Sequence, residues 1–192
     1  MLSSLNRKSQ KGFNVLELMV AVAITGLTLT LGVPSMSETY ADIRVNNTVR
    51  QVSKDLVYAR TYAISNNTVV TICNLSGSSC TGSWEDGYTI FIDGDASGTF
   101  DTANDLKLVE NADLAFGELK LSISDSALQY RMNGSVNKEA NFTFCPHSEQ
   151  GKAKGIIINK MGRTKLTEDY DGDGLDEISV TDMDSHISCS AT

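Results

Sequence analysis

Histidine is nearly absent: His147 and His186 are the only two in 192 residues. No G-x-S-x-G, no H-E-x-x-H and no glycine-rich phosphate loop occurs. Those are the arrangements that activate a serine, hold a catalytic zinc or cradle a nucleotide. His147 stands two residues after Cys145, as in a dyad, but a disulfide at Cys145 would consume the thiol. The sequence therefore reads as a non-enzyme. Close cysteine pairs of the C-x2-C kind are also missing, which argues against a structural zinc site. Basic charge is short as well. The formal net charge is -8, which argues against a generic nucleic-acid binder while allowing a local basic patch. There is no internal repeat and no low-complexity linker.

Charge is missing from one long stretch in particular. Residues 13–33 are apolar or small and carry a single ionisable side chain, Glu17. Before them the first twelve residues hold Arg7, Lys8 and Lys11 and no acid. A basic head before an apolar run is a targeting signal that keeps its N-terminus in the cytoplasm. Three readings compete. A secretory signal peptide would have a shorter apolar region with no charge in it. A plain membrane anchor fits the length, since about 1.5 Å per residue gives about 31 Å, but leaves Glu17 unexplained. Cleavage after Gly12 explains it. Phe13 then becomes the N-terminus, and Glu17 lies one helical turn further on. A carboxylate there can pair with the α-amino group of a neighbouring copy, so that two costly charges in hydrocarbon neutralise each other and fix the axial register.

These residues carry a resemblance. Gly12-Phe13-Asn14-Val15-Leu16-Glu17, behind a basic leader and ahead of an apolar helix, resembles the class III signal of type IV prepilins. Pro34 falls where pilins often carry a kinking proline. The resemblance implies cleavage by a prepilin peptidase, N-methylation of Phe13, and insertion beside a major pilin and other minor pilins or pseudopilins. It also implies residence in the bacterial inner membrane before assembly, with the globular part in the periplasm.

Beyond Pro34, Val45, Val49, Val52, Leu56, Ala59 and Ala63 recur at alternating spacings of four and three. That pattern predicts a helix with one apolar stripe whose alanines suit close approach to a sheet. Arg44, Arg50, Lys54, Asp55 and Arg60 lie off the stripe. Asn66-Asn67 is a stop. From Thr68 the period changes to two. Strands are expected at 69–73, 88–92, 106–109, 118–124, 128–131, 141–145, 155–159 and 163–166. Turns are expected at 132–135 and at Met161-Gly162. The tail from Glu168 is strongly acidic. A long N-terminal helix followed by short strands implies an α+β fold with antiparallel sheet. The organisation reads as a cleaved leader at 1–12, a transmembrane and assembly segment at 13–34, an amphipathic half-helix at 35–67, and a β-rich globular domain at 68–192.

The order of elements is similar to the GspH/FimT/FimU branch of the type IV pilin-like proteins. The matching stretches are Trp84-Glu85-Asp86-Gly87, the acidic and glycine-containing run at 91–101, Phe144-Cys145-Pro146, and the strand–turn–strand at 156–165. The resemblance implies a minor pilin near the tip of a type IV pilus, with a minor pseudopilin of type II secretion or a FimT-like DNA-binding minor pilin of natural transformation as the alternatives.

Three constellations are candidate sites. Cys73, Cys80, Cys145 and Cys189 all follow the apolar run, an even count that fits an oxidising compartment and two disulfides. Cys73 with Cys80 would close a short loop. Cys145 with Cys189 would then close a long one worth about 3–4.7 kcal/mol by loop entropy. Sequence alone leaves three connectivities open. Asp169, Asp171 and Asp173 match positions 1, 3 and 5 of a calcium loop, and Glu177 matches position 9. Position 12 is Val180 in place of the bidentate glutamate. Calcium is the candidate cofactor, against the reading as a solvated acidic turn. The run Asp93, Asp95, Asp101 looks similar but reads as a hairpin loop. Lys152, Lys154, Lys160, Arg163 and Lys165 form a basic stretch with no acid in it. Gly162-Arg163-Thr164-Lys165 resembles the G-R-x-R motif that FimT-type pilins use to bind DNA. Here the final residue is Lys, a point charge without the bidentate fork. The competing reading is a lysine-guarded strand edge.

Overall fold

The computed structural model describes residues 12–111, 119–122, 126–146 and 153–187, with the side chains at 31–39, 41, 85, 119–122, 146 and 183 left aside. The chain divides into two compact units, Met1–Tyr40 and Ala41–Thr192. The first helix, α1 (Val15–Asn66), contributes to both. It ends at the expected asparagines. Asn67 takes a left-handed φ of 51°, and the amide of Thr68 donates back to the Ala63 carbonyl at 3.1 Å. Asparagine tolerates that conformation better than most residues, so it terminates the helix cheaply.

Among the described residues of the second unit ten strands follow, β1 (Val70–Cys73), β2 (Tyr88–Ile92), β3 (Leu106–Asn111), β4 (Leu119–Ser122), β5 (Ala127–Tyr130), β6 (Ala140–Pro146), β7 (Lys154–Ile158), β8 (Thr164–Leu166), β9 (Glu177–Ser179) and β10 (Asp182–His186). They form a four-stranded sheet in the order β3-β2-β1-β5, a second in the order β4-β6-β7-β8, and a two-stranded pair β9-β10. Neighbouring strands in these sheets pair antiparallel. The fold is α+β, a helix on antiparallel sheet, as expected.

The predicted helical stripe is the core stripe. Val45, Val49, Val52, Leu56, Ala59 and Ala63 are all buried, and the two alanines are fully enclosed. They join Ile72, Ile90, Leu128, Phe142, Ile156 and Ile158 from both four-stranded sheets in one apolar cluster. Trp84 meets Phe142 edge-on with ring centroids 5.5 Å apart. Burying side chains of this size stabilises by about 1.5–3 kcal/mol each, so the stripe is what holds this part of α1 to the sheets.

Two charged helix residues that sequence places off the stripe are partly buried and structural. The Asp55 carboxylate accepts from the Tyr88 hydroxyl at 2.6 Å and from the Asn111 side chain at 2.9 Å. Burial and then the Asp55 carboxylate push the Tyr88 phenol well above its ordinary range. Arg60 donates from Nε to the Gly134 carbonyl and from Nη2 to the Met161 carbonyl, each at 3.0 Å. It thereby clamps the β5–β6 turn and the β7–β8 turn to the helix. Amphipathic periodicity sorts residues by hydrophobicity, so it cannot flag polar side chains whose partners lie far away in sequence. The strands β9 and β10 also differ from the expectation of a plain acidic tail. They are short and polar, and pattern reading finds strands by apolar alternation.

Candidate functional site

The N-terminal segment begins with a capped helix. The side chain of Asn14 accepts from the Leu16 amide at 3.3 Å and its carbonyl accepts from the Leu18 amide at 3.2 Å. Glu17 lies in the first turn, where the unpaired amides favour negative charge. Every large apolar side chain from Phe13 to Leu29 is exposed, Phe13 by 77%. The hydroxyls of Thr25 and Thr28 are spent within the helix, on the carbonyls of Ala21 at 2.7 Å and Ile24 at 3.0 Å. They therefore add no unsatisfied polarity to the apolar surface. Among the described residues no helix is long and apolar enough to cross a membrane. The expected transmembrane segment at 13–34 runs into residues whose side chains are not described, Pro34 among them. The leader before Gly12 lies outside the described residues.

Cys73 and Cys80 are joined, with Cα atoms 5.4 Å apart, as their short spacing suggests. The bridge closes the loop after β1. Cys145 is likewise disulfide-bonded. Cys189 lies outside the described residues.

The basic stretch does not gather on one surface. Lys154 and Ile156 share a face of β7, and Lys154 is held by Asp176 at 2.9 Å. Lys165 pairs in register with Ile157, on the opposite face. Its ammonium lies 5.2 Å from the centre of the Tyr170 ring. Lys160 and Arg163 are exposed at the turn, and Lys152 is outside the described residues. The turn itself is tightly built. Gly162 has a φ of +72°, and a Cβ there would overlap the Gly134 carbonyl and press on the Tyr130 ring.

The two acidic loops turn out to be different in kind. In the β2–β3 loop Asp93 is fully buried and saturated. It accepts from Thr71 at 2.6 Å, from the amides of Ser97 and Gly98, and from Gln129 at 3.0 Å. Asp105 accepts from the amides of Gly94 and Asp101. These carboxylates replace missing backbone partners in a tight loop, and one oxygen each of Asp93, Asp95 and Asp105 lies within 4.8 Å of the others.

In the loop between β8 and β9, Asp169 accepts from the amides of Gly172 at 2.7 Å and Gly174 at 2.9 Å. The sequence-matched Asp171, Asp173 and Glu177 converge, and His186 of β10 joins them. One ligand-capable atom from each lies within 4.8 Å of the others. Asp169 is outside that group. His186 escapes a loop-motif reading because it arrives from a different strand. The register of β10 against β9, which pairs His186 with Glu177, brings it there.

The GspH family model, described as type II transport protein GspH, matches residues 48–162. No curated protein sequence matches the chain. Among solved structures, the type IV minor pilin FimU of Pseudomonas aeruginosa is similar at 20% identity and a TM-score of 0.53. That likeness covers 65% of this chain and 88% of that one. A second crystal form of FimU gives a TM-score of 0.51 over 64% and 92%. The minor pseudopilin EpsH of the Vibrio cholerae type 2 secretion system is similar at 12% identity, with a TM-score of 0.44 over 64% and 95%. The matched residues include the core stripe from Val49 onward, the sheet β3-β2-β1-β5 and strands β4, β6 and β7 of the other, and on that match the chain belongs to the type II transport protein GspH family.

Proposed function

We propose that the chain is a minor subunit of a type IV pilus, cut after Gly12 by a prepilin peptidase and methylated on Phe13. Residues 13–34 hold it in the inner membrane until it is inserted, near the filament tip, beside major and minor pilins. The observation that carries this reading is the first part of α1, residues 15–29, whose large apolar side chains are exposed and whose only charge is Glu17. Such a surface is stable only inside an apolar assembly or a bilayer, and the lone carboxylate there requires a cationic partner. The description of the matched family favours a second reading, a minor pseudopilin of type II secretion.

Deleting the protein distinguishes them. Loss of twitching with secretion intact is the expected result. Loss of secretion with twitching intact transfers the reading to the pseudopilus. Retention of both overturns the filament role.

DNA is a further proposed partner, through the exposed Lys160 and Arg163 with Lys165 beside them. If Arg163 and Lys165 contact phosphates, replacing both with Ala should flatten the plot of log K against log salt by about 1.8 units. Piliation should be unchanged, because these two side chains belong to the β7–β8 hairpin and not to residues 13–34. Salt-independent or absent duplex binding by the unaltered protein would remove DNA from its partners.

A further inference from the structure

We propose that Asp171, Asp173, Glu177 and His186 form a site for a divalent cation of the zinc class, which accepts imidazole nitrogen. It differs from the calcium loop that the sequence alone suggests.

Each acid divides its two oxygens between two tasks. Asp171 uses Oδ1 to accept from the Asp173 amide at 3.0 Å. Asp173 uses Oδ1 to accept from the Leu175 amide at 2.8 Å. Glu177 uses Oε2 to accept from the Tyr170 amide at 2.7 Å. These bonds shape the loop and lock the three carboxylates in place. The remaining Oδ2 of Asp173 and Oε1 of Glu177 both turn toward His186 Nε2, at 3.3 and 3.5 Å.

The decisive group is Glu177. Its side chain is completely buried, yet Oε1 makes no hydrogen bond and meets only His186 Nε2 at 3.5 Å, an enclosed nitrogen that makes no hydrogen bond either. A buried carboxylate oxygen left unsatisfied is costly. Asp93, equally buried, has both of its oxygens hydrogen-bonded. Three carboxylates within one small cluster also repel one another. Lys154 does not relieve them, since its ammonium is held by Asp176, and Lys165 lies over Tyr170.

The donor set selects the ion, and the spacing accommodates it. Ligands about 2.0–2.2 Å from a tetrahedral centre stand about 3.3–3.6 Å from one another. The two distances from His186 Nε2 fall in that range. Calcium prefers six to eight oxygens at longer range, and the residue that would be its bidentate ligand is Val180. Imidazole with carboxylates is a donor set that zinc accepts. The ion would join the β8–β9 loop, β9 and β10 at one point, and so fasten the C-terminal strand pair.

The test uses the full-length chain in detergent, stripped with a chelator and titrated calorimetrically with zinc, calcium and magnesium chlorides. One zinc per chain is expected, bound at least tenfold more tightly than calcium. Cobalt added in place of zinc should give the intense visible absorption of a four-coordinate site. His186→Gln should weaken zinc at least tenfold and abolish that absorption, while Asp93→Asn should leave zinc affinity unchanged if the chain still melts cooperatively. Asp173→Asn, at a half-exposed position, gives the same reading should the His186 variant fail to fold. Absence of saturable zinc binding overturns the proposal and leaves an imidazolium bridging two carboxylates. Calcium binding as tight as zinc, or zinc binding indifferent to both His186→Gln and Asp173→Asn, overturns it equally.

Discussion

Glu17→Ala is expected to leave the protein processed and membrane-associated but to remove it almost entirely from sheared filaments. Alanine is a good helix former and Glu17 is exposed on the isolated chain, so the helix and its insertion have no reason to fail. The loss arises in the assembly. There the α-amino group of an adjacent Phe13 would be left buried without its counter-charge. Removing one member of a buried ion pair costs about 3–5 kcal/mol. At about 1.4 kcal/mol per tenfold, incorporation should fall by about a hundredfold or more. Intact mass of the variant should still begin at methylated Phe13. Filament fractions carrying the variant at the unaltered level would show that Glu17 pairs with nothing there. A mass that retains Met1 in the unaltered protein would remove the cleavage on which the pairing depends.

Gly162→Ala is expected to destabilise the globular unit strongly. Two costs coincide. The backbone φ of +72° is strained for any residue with a Cβ, by about 1–2 kcal/mol. The new Cβ also collides with the carbonyl of Gly134, which belongs to the neighbouring turn and is fixed by Arg60 at 3.0 Å. Neither turn can withdraw without breaking that clamp. Gly77→Ala is the matched control, because Gly77 has a φ of +66° but open space around its Cβ position. We expect about 1–2 kcal/mol for Gly77→Ala and at least about 3 kcal/mol for Gly162→Ala. At about 2–4 °C per kcal/mol, Gly162→Ala should melt about 6–12 °C below the unaltered protein. Equal melting temperatures for the two variants would show that the turns do not press on each other.

The basic turn illustrates how a motif and a packing requirement can share residues. Gly162-Arg163-Thr164-Lys165 resembles a DNA-binding sequence, yet its glycine is needed to fit against Gly134 whether or not DNA is bound. Lys165 rests on Tyr170 and Lys154 is held by Asp176. A contiguous run of cations in sequence is therefore not a contiguous patch. Strand alternation sends neighbouring side chains to opposite faces.

The sequence by itself determined the features that depend on local periodicity and local chemistry. The four-and-three spacing from Val45 to Ala63 marks the buried stripe residue by residue, because helical geometry places those positions on one side. Asn67 ends the helix because it tolerates a left-handed backbone. The short spacing of Cys73 and Cys80 suggests their bridge. Period-two alternation finds most strands of the two larger sheets, because one face of each must leave water.

Only the tertiary structure decided the polar contacts. Asp55 and Arg60 look like solvated helix charges until β2, β3 and the two turns fold onto them. Two acidic loops that read alike are separated by where each oxygen points. Asp93 is saturated by amides and side chains, whereas Glu177 keeps an orphan oxygen facing His186. Hydrophobic burial is a property each residue carries with it, so a pattern reveals it. A hydrogen bond or a ligand site belongs to a set of atoms at fixed distances, and those distances exist only after strands remote in sequence have been placed in register.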